Sequence, residues 1–297
     1  MNSRIKGIIA ITISAFGFAL MALFVRLCDD YGAPVSSFQK SFFRNVVALM
    51  IAAAAFFRES KLKVEGEQRM FKFHCSASPW VFALLLRSLL GTIGIFANFY
   101  ALSHITIAEG QTLNKTAPFF TVLFAGLFLG ERVNVRQVLT LVIAFLGVVL
   151  IAKPGFAGAA AFPLSIGLLS GCCAGGAYAC VRTLRTHAVS PSFIILFFSA
   201  FSCLASVPFM AAGFDPMTFA QVLILLGAGA GAAIGQFGIT LAYGYAAPRE
   251  IAVFDYTNIL FTAAFGYIFF AQVPDVLSVF GLFAIFAAAF LLAGTEK

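Results

Sequence analysis

Residues 109–131 form an apolar stretch long enough to cross a bilayer, yet Asn114, Lys115 and Pro118 stand inside it. A hydrocarbon core about 30 Å thick takes about 20 helical residues, which places Lys115 at hydrocarbon depth. A lysine there costs roughly 2.5–3.5 kcal/mol on insertion scales, so a buried partner or a water-filled cavity must offset it. A second stretch, 250–272, lies 141 residues further on. It begins at Glu250 as the first begins at Glu109, and it carries Asp255, Tyr256 and Asn258. The expectation is that these two spans face each other across a polar pathway, with Lys115 and Asp255 lining it or pairing within it.

The remainder of the chain is equally apolar. Of 297 residues, 61% are hydrophobic and 10% charged, with a mean hydropathy of +0.99. A soluble domain has about 25% charged residues, and one soluble core could not hide this much apolar surface. The fold class is therefore all-α and integral to a membrane. Windows of spanning length give ten transmembrane helices, near 5–27, 35–57, 79–102, 108–130, 134–152, 163–185, 191–212, 218–244, 250–270 and 274–294. Turn chemistry separates them, as at Asp29-Asp30-Tyr31-Gly32-Ala33-Pro34, Lys153-Pro154-Gly155, Ser190-Pro191 and Val273-Pro274. The first apolar stretch follows Arg4 and Lys6 but is too long for a signal core, so it reads as a true span.

An even number of spans puts both termini on one side. With that side inside, the inner segments hold thirteen Lys and Arg, five of them in loop 58–78, and the outer segments hold two, Arg26 and Lys153. The bias predicts a multi-pass protein of the cytoplasmic (inner) membrane with both termini cytoplasmic.

Several function classes drop out. The net charge of +7 has no basic face or nucleic-acid motif behind it, so no nucleic-acid partner is expected. Cys172, Cys173, Cys180 and Cys203 fall inside apolar spans without metal-ligand spacing and read as small buried hydrophobes, with no metal site expected. His74, His104 and His187 lie in loops or at a span end and read as solvated. There is no GxSxG elbow, P-loop or HExxH, so neither an enzyme nor a cofactor is expected, and transport would run on gradients.

An internal repeat supports a carrier. At the 141-residue offset, residues 101–152 match 242–293 at 13 of 52 positions, including Glu109/Glu250, Thr116/Thr257, Phe120/Phe261 and Phe124/Phe265. Asn114 falls on Asp255 and Asn134 on Asp275, and Phe24-Val25-Arg26 resembles Cys180-Val181-Arg182. The two repeats are thus residues 1–152 and 163–297. Each has five spans, an odd number, so the second is inserted upside down, giving a 5+5 inverted repeat with the substrate near the midplane between halves.

The chain resembles the drug/metabolite transporter superfamily, specifically bacterial EamA-type ten-helix carriers. The resemblance covers essentially the whole chain. It rests on Ser36-Ser37-Phe38-Gln39-Lys40-Ser41-Phe42-Phe43-Arg44, on Leu86-Arg87-Ser88-Leu89-Leu90-Gly91, and on Ala117-Pro118-Phe119-Phe120 through Leu129-Gly130-Glu131-Arg132. In the second half the Gly-Glu pair becomes Ala271-Gln272, which departs from a symmetric role for Glu131. The resemblance implies a cavity lined by spans 1, 3, 4, 6, 8 and 9, span 2 peripheral to it, and alternating access. Members similar to S-adenosylmethionine carriers and amino-acid exporters are nearest in character.

Lys115 is the first candidate for substrate contact; its alternative is a buried pair with Asp255 that holds the halves together. Asp255 is also a candidate for proton coupling, since burial raises a carboxyl pKa and a neighbouring lysine lowers it. Arg87 lies about eight residues into span 3, and its alternative is to snorkel or bind carbonyls. Lys40 and Arg44 share one face of span 2, where packing against loops or Glu109 is the plainer reading. Asn98, Asn114, Tyr178, Gln236, Tyr243, Tyr256 and Asn258 are polar lining or helix–helix hydrogen bonds. Glu109 and Glu250 read as first-turn carboxylates or as gates at the two ends.

The four in-span cations, Lys40, Arg44, Arg87 and Lys115, outnumber the clear in-span anion, Asp255. A small-molecule substrate bearing a carboxylate or phosphate follows as the expectation, amino acid or nucleotide-like. Membrane lipid surrounds the chain, and the choice between a coupling proton and a sodium ion stays open. The alternatives are a multidrug or cation exporter and a lipid-linked-sugar flippase of the same superfamily.

Overall fold

The computed structural model describes residues 2–64, 79–105, 112–152, 161–271 and 275–293. Glu109, His74, Lys153-Pro154-Gly155, Gln272, Val273-Pro274, Lys297 and most of the basic loop after residue 64 lie outside the described residues.

The described chain is helical. The helices are α1 (Ser3–Asp30), α2 (Ser37–Val64), α3 (Pro79–His104), α4 (Ala117–Leu129), α5 (Val135–Ala152), α6 (Ala161–Thr186), α7 (Pro191–Ala212) and α8 (Phe219–Tyr245). The one-turn α9 (Pro248–Ile251) runs into a 3-10 segment (Ala252–Tyr256), then α10 (Thr257–Phe270) and α11 (Val276–Ala293). By length and composition, eight stretches are long and apolar enough to cross a membrane, and α5 and α11 are shorter apolar helices at the expected fifth and tenth spans. Phe128, Phe219 and Phe290 are more than three-quarters exposed, a surface that suits lipid and not water.

The fourth and ninth spans are not continuous helices, which the apolar windows did not foretell. In the fourth, the chain turns at Lys115 and Thr116 before α4 starts. Pro118 sits in the first turn of α4, where its missing N–H costs nothing. The Thr116 hydroxyl donates to the Leu113 carbonyl at 2.6 Å, satisfying a group that the break releases. In the ninth, the 3-10 segment tightens the backbone and the Thr257 hydroxyl donates to the Phe254 carbonyl at 2.7 Å.

Further pairs 141 residues apart share local geometry. Thr121 donates to the Ala117 carbonyl and Thr262 to the Asn258 carbonyl, each at 2.8 Å. Gly130 ends α4 in the left-handed region at φ 67, and Ala271 ends α10 there at φ 52. The Asn134 side chain accepts from the Arg136 amide, and the Asp275 side chain from the Ser278 amide, at the starts of α5 and α11.

Small residues let the helices touch. A Cβ on Gly17 of α1 would stand 2.6 Å from the Gly235 nitrogen and 2.8 Å from the Gly231 oxygen of α8, so these backbones are in direct contact. The Ser14 hydroxyl then reaches the Gly235 carbonyl at 2.7 Å. Helices α5 and α11 cross at Gly147 and Gly281 in the same manner. The most extensive pairings are α1 with α8, α3 with α6, α2 with α7 and α5 with α11. Each joins an early helix to a late one, which brings the two broken spans together near the centre.

Candidate functional site

Both breaks place a charged side chain in the interior. Lys115 lies at the turn preceding α4, and Asp255 lies in the 3-10 segment preceding α10. Lys115 Nζ is 3.5 Å from Asp255 Oδ2, with side chains only 11% and 10% exposed. Of the two ways to offset the charge, a buried partner is thus present. The neighbouring asparagines anchor the breaks. Asn114 Nδ2 donates to Ser170 Oγ of α6 at 3.3 Å, and Asn258 Nδ2 donates to the Ala15 carbonyl of α1 at 2.9 Å. Of the two readings open for these asparagines, the helix–helix bond is the one formed here.

A second polar group gathers beside this pair. Arg87 of α3 is 1% exposed. Its Nη2 donates to Gln236 Oε1 of α8 at 2.9 Å, and its guanidinium carbon lies 3.9 Å from the ring centre of Phe198 of α7. That stacking is a cation–π contact, strengthened where water is excluded. Gly91, one turn along, leaves the space: a Cβ there would collide with Arg87 Nη1 and come within 2.7 Å of Phe198.

Arg44 belongs to the same group, although span 2 was expected to be peripheral. Lys40 is drawn off to Asp29 at the end of α1, at 2.6 Å. Arg44 instead turns inward, is 7% exposed, and lies within electrostatic reach of Arg87 and Tyr178. Among the described residues neither Arg44 nor Arg87 forms an ion pair, and the buried Nε of each has no partner. Tyr178 of α6 is within electrostatic reach of both guanidinium groups and of Asp255. Its ring lies 5.9 Å from that of Tyr243. Among the described residues the Tyr256 hydroxyl and Asn98 Oδ1 are buried without a partner.

The structure thus brings Lys115 to Asp255 and Arg87 to Gln236, with Tyr178 within electrostatic reach of Asp255 and Arg87. Arg44 is the member that sequence reasoning underweighted. Its only signal was the shared face with Lys40, which does not say which of two cations turns inward. Among the described residues this group holds three cations, Lys115, Arg44 and Arg87, and one carboxylate, Asp255, an excess of positive charge in a buried setting suited to oxyanions.

One end of the bundle carries a further ion pair. Arg182 Nε lies 3.0 Å from Glu131 Oε1, and Arg182 Nη1 donates to the Tyr243 carbonyl at 3.0 Å. Arg249 Nη1 donates to the Arg132 carbonyl at 2.8 Å, and Glu250 Oε1 lies 3.8 Å from Arg249 Nη2. Arg26, which resembles Arg182 in its sequence surroundings, instead lies 4.3 Å over the Phe270 ring. Glu131 and Arg182 each stood in a motif, but nothing in the sequence marked them as partners.

Comparisons with known proteins agree with this architecture. Residues 5–153 match the EamA-like transporter family. The chain is 29% identical over 295 residues to the pseudopaline exporter CntI of Pseudomonas aeruginosa, covering 98% of this chain and 97% of that protein. It is 30% identical over 199 residues to a riboflavin transporter of Rhizobium johnstonii, covering 66% of this chain and 64% of that one. A solved crystal structure superposes with a TM-score of 0.69 at 18% identity, over 96% of this chain and 99% of that one, which is a likeness of fold.

Proposed function

The chain belongs to the EamA-like transporter family and is a multi-pass membrane transporter, not an enzyme; from this we propose that it is a secondary carrier of a small organic metabolite bearing a carboxylate or phosphate. The observation that carries the reading is the Lys115–Asp255 pair, buried between two broken spans. A broken span near the bilayer midplane is where carriers place their substrate sites. In this reading a substrate anion takes the place of Asp255 at Lys115. The relatives named for pseudopaline export and riboflavin transport support an organic solute.

The carrier works by alternating access between two inverted five-span repeats, 1–152 and 163–297, in the inner membrane with both termini cytoplasmic. The repeat is supported by the pairs 141 residues apart: the Thr116 and Thr257 bonds, the Thr121 and Thr262 bonds, and the left-handed ends at Gly130 and Ala271. It is supported too by the way α1 packs on α8 while α3 packs on α6. A proton or sodium gradient supplies the driving force.

Counterflow in proteoliposomes tests the proposal. Vesicles loaded with a pool of amino acids, dicarboxylates, nucleotides or sugar phosphates should accumulate the labelled solute of the matching class, and Lys115→Ala should abolish this. Accumulation of hydrophobic cations alone, indifferent to Lys115→Ala, would replace the anion carrier with a drug exporter.

A further inference from the structure

We propose that Arg44 and Arg87, together with Gln236, form a second oxyanion subsite, separate from Lys115–Asp255, that takes a carboxylate or phosphate group of the transported solute. The inference rests on reading the chain as a carrier of anionic solutes, and it extends that reading to a solute with two acidic groups.

Three observations carry it. First, two guanidinium groups lie 7% and 1% exposed and within electrostatic reach of each other. Burying like charges within reach of each other is unfavourable unless an anion offsets them. Among the described residues no carboxylate does so, since Asp29 is held by Lys40, Glu131 by Arg182 and Asp255 by Lys115. Second, their donors are underused. A guanidinium has five N–H donors. Among the described residues, the side-chain bond Arg87 makes goes to Gln236 Oε1, and the buried Nε atoms of both arginines lack partners. Third, the group is positioned. Phe198 supports the Arg87 guanidinium from one face at 3.9 Å, and the missing Gly91 side chain leaves it room. Because Gln236 accepts from Arg87 through Oε1, its amide nitrogen is left as a further donor. Arginine forks match the two oxygens of a carboxylate or phosphate, which a lysine point charge does not.

Small anions read this subsite, and the variants separate it from Lys115, where the carrier reading also places an anion. Detergent-purified full-length protein is unfolded thermally while sodium phosphate or sodium acetate is titrated at constant ionic strength with sodium chloride. A ligand that binds the folded state raises its melting temperature in a saturable way. The two anions distinguish a phosphate preference from a carboxylate preference. The variants are Arg44→Lys and Arg87→Lys, which keep the charge but lose the fork, and the neutral double variant Lys115→Met/Asp255→Asn. The expected result is saturable stabilisation of the wild type by one anion, weakened about tenfold or more in each lysine variant and still present in the double variant. Where a lysine variant yields no folded protein, Gln236→Met gives the same reading through loss of the amide donor.

Equal stabilisation of wild type and arginine variants overturns the subsite, and so does an absence of saturable stabilisation by either anion. The outcomes separate from those of the carrier reading. Anion binding at the arginines without counterflow would contradict the carrier and leave the subsite standing, whereas counterflow dependent on Lys115 with no small-anion binding would do the reverse.

Discussion

Lys115 and Asp255 lie 3.5 Å apart, each at the point where its own span ceases to be a regular helix. A buried pair of this kind is costly to break and cheap to remove whole, since a lone buried charge has no compensation. Lys115→Met and Asp255→Asn should each lower stability by about 3–5 kcal/mol, and Lys115→Met/Asp255→Asn should recover most of that loss. Chemical unfolding of the three variants in detergent measures it.

Gly91 should be intolerant of a methyl group. Its added Cβ would run into Arg87 Nη1 and the Phe198 ring. A displaced guanidinium loses its cation–π contact and its bond to Gln236. Gly91→Ala is expected to cost about 1–3 kcal/mol in thermal unfolding and to weaken phosphate or acetate binding in the same samples.

Gly130 and Ala271 allow a cleaner test of backbone strain. Both end a helix in the left-handed region, at φ 67 and φ 52. A Cβ on Gly130 would meet nothing within 4 Å, so only the conformational penalty is at stake. Ala271→Gly should therefore stabilise by about 1 kcal/mol and Gly130→Ala destabilise by about the same. Opposite shifts in melting temperature would show it.

The α1–α8 contact has no such latitude. At Gly17 the obstacles are the Gly235 nitrogen and the Gly231 oxygen, both backbone. Gly17→Ala must push two helices apart and should lower stability by about 1–3 kcal/mol or more. Gly213→Ala, where a Cβ meets nothing within 4 Å, serves as the control and should leave unfolding nearly unchanged.

Much of the architecture was legible because burial in lipid is unforgiving. The number of spans followed from hydropathy, and the cost of a charge in hydrocarbon together with the 141-residue echo named the Lys115–Asp255 pair as one of two readings, the other being contact with substrate. The breaks were harder to read. Pro118 hinted at the first, but 252–256 contains neither proline nor glycine, so its 3-10 turn comes from tertiary contacts that no local pattern records. Arg44 was obscured for a related reason. It shares a face with Lys40, and only the position of Asp29 decides that the lysine goes to the helix end while the arginine stays in the interior. The Glu131–Arg182 bond joins the connection after α4 to α6, with no spacing rule between them.

The most direct measurement is a thermal-stability screen of wild type beside Lys115→Ala against amino acids, nucleotides, S-adenosylmethionine, sugar phosphates and hydrophobic cations. A bound ligand raises the melting temperature with concentration. The account predicts that an anionic or zwitterionic metabolite stabilises the wild type and that Lys115→Ala loses the effect. Stabilisation by hydrophobic cations, equal in both proteins, would contradict it and leave Lys115–Asp255 as a strut between the broken spans.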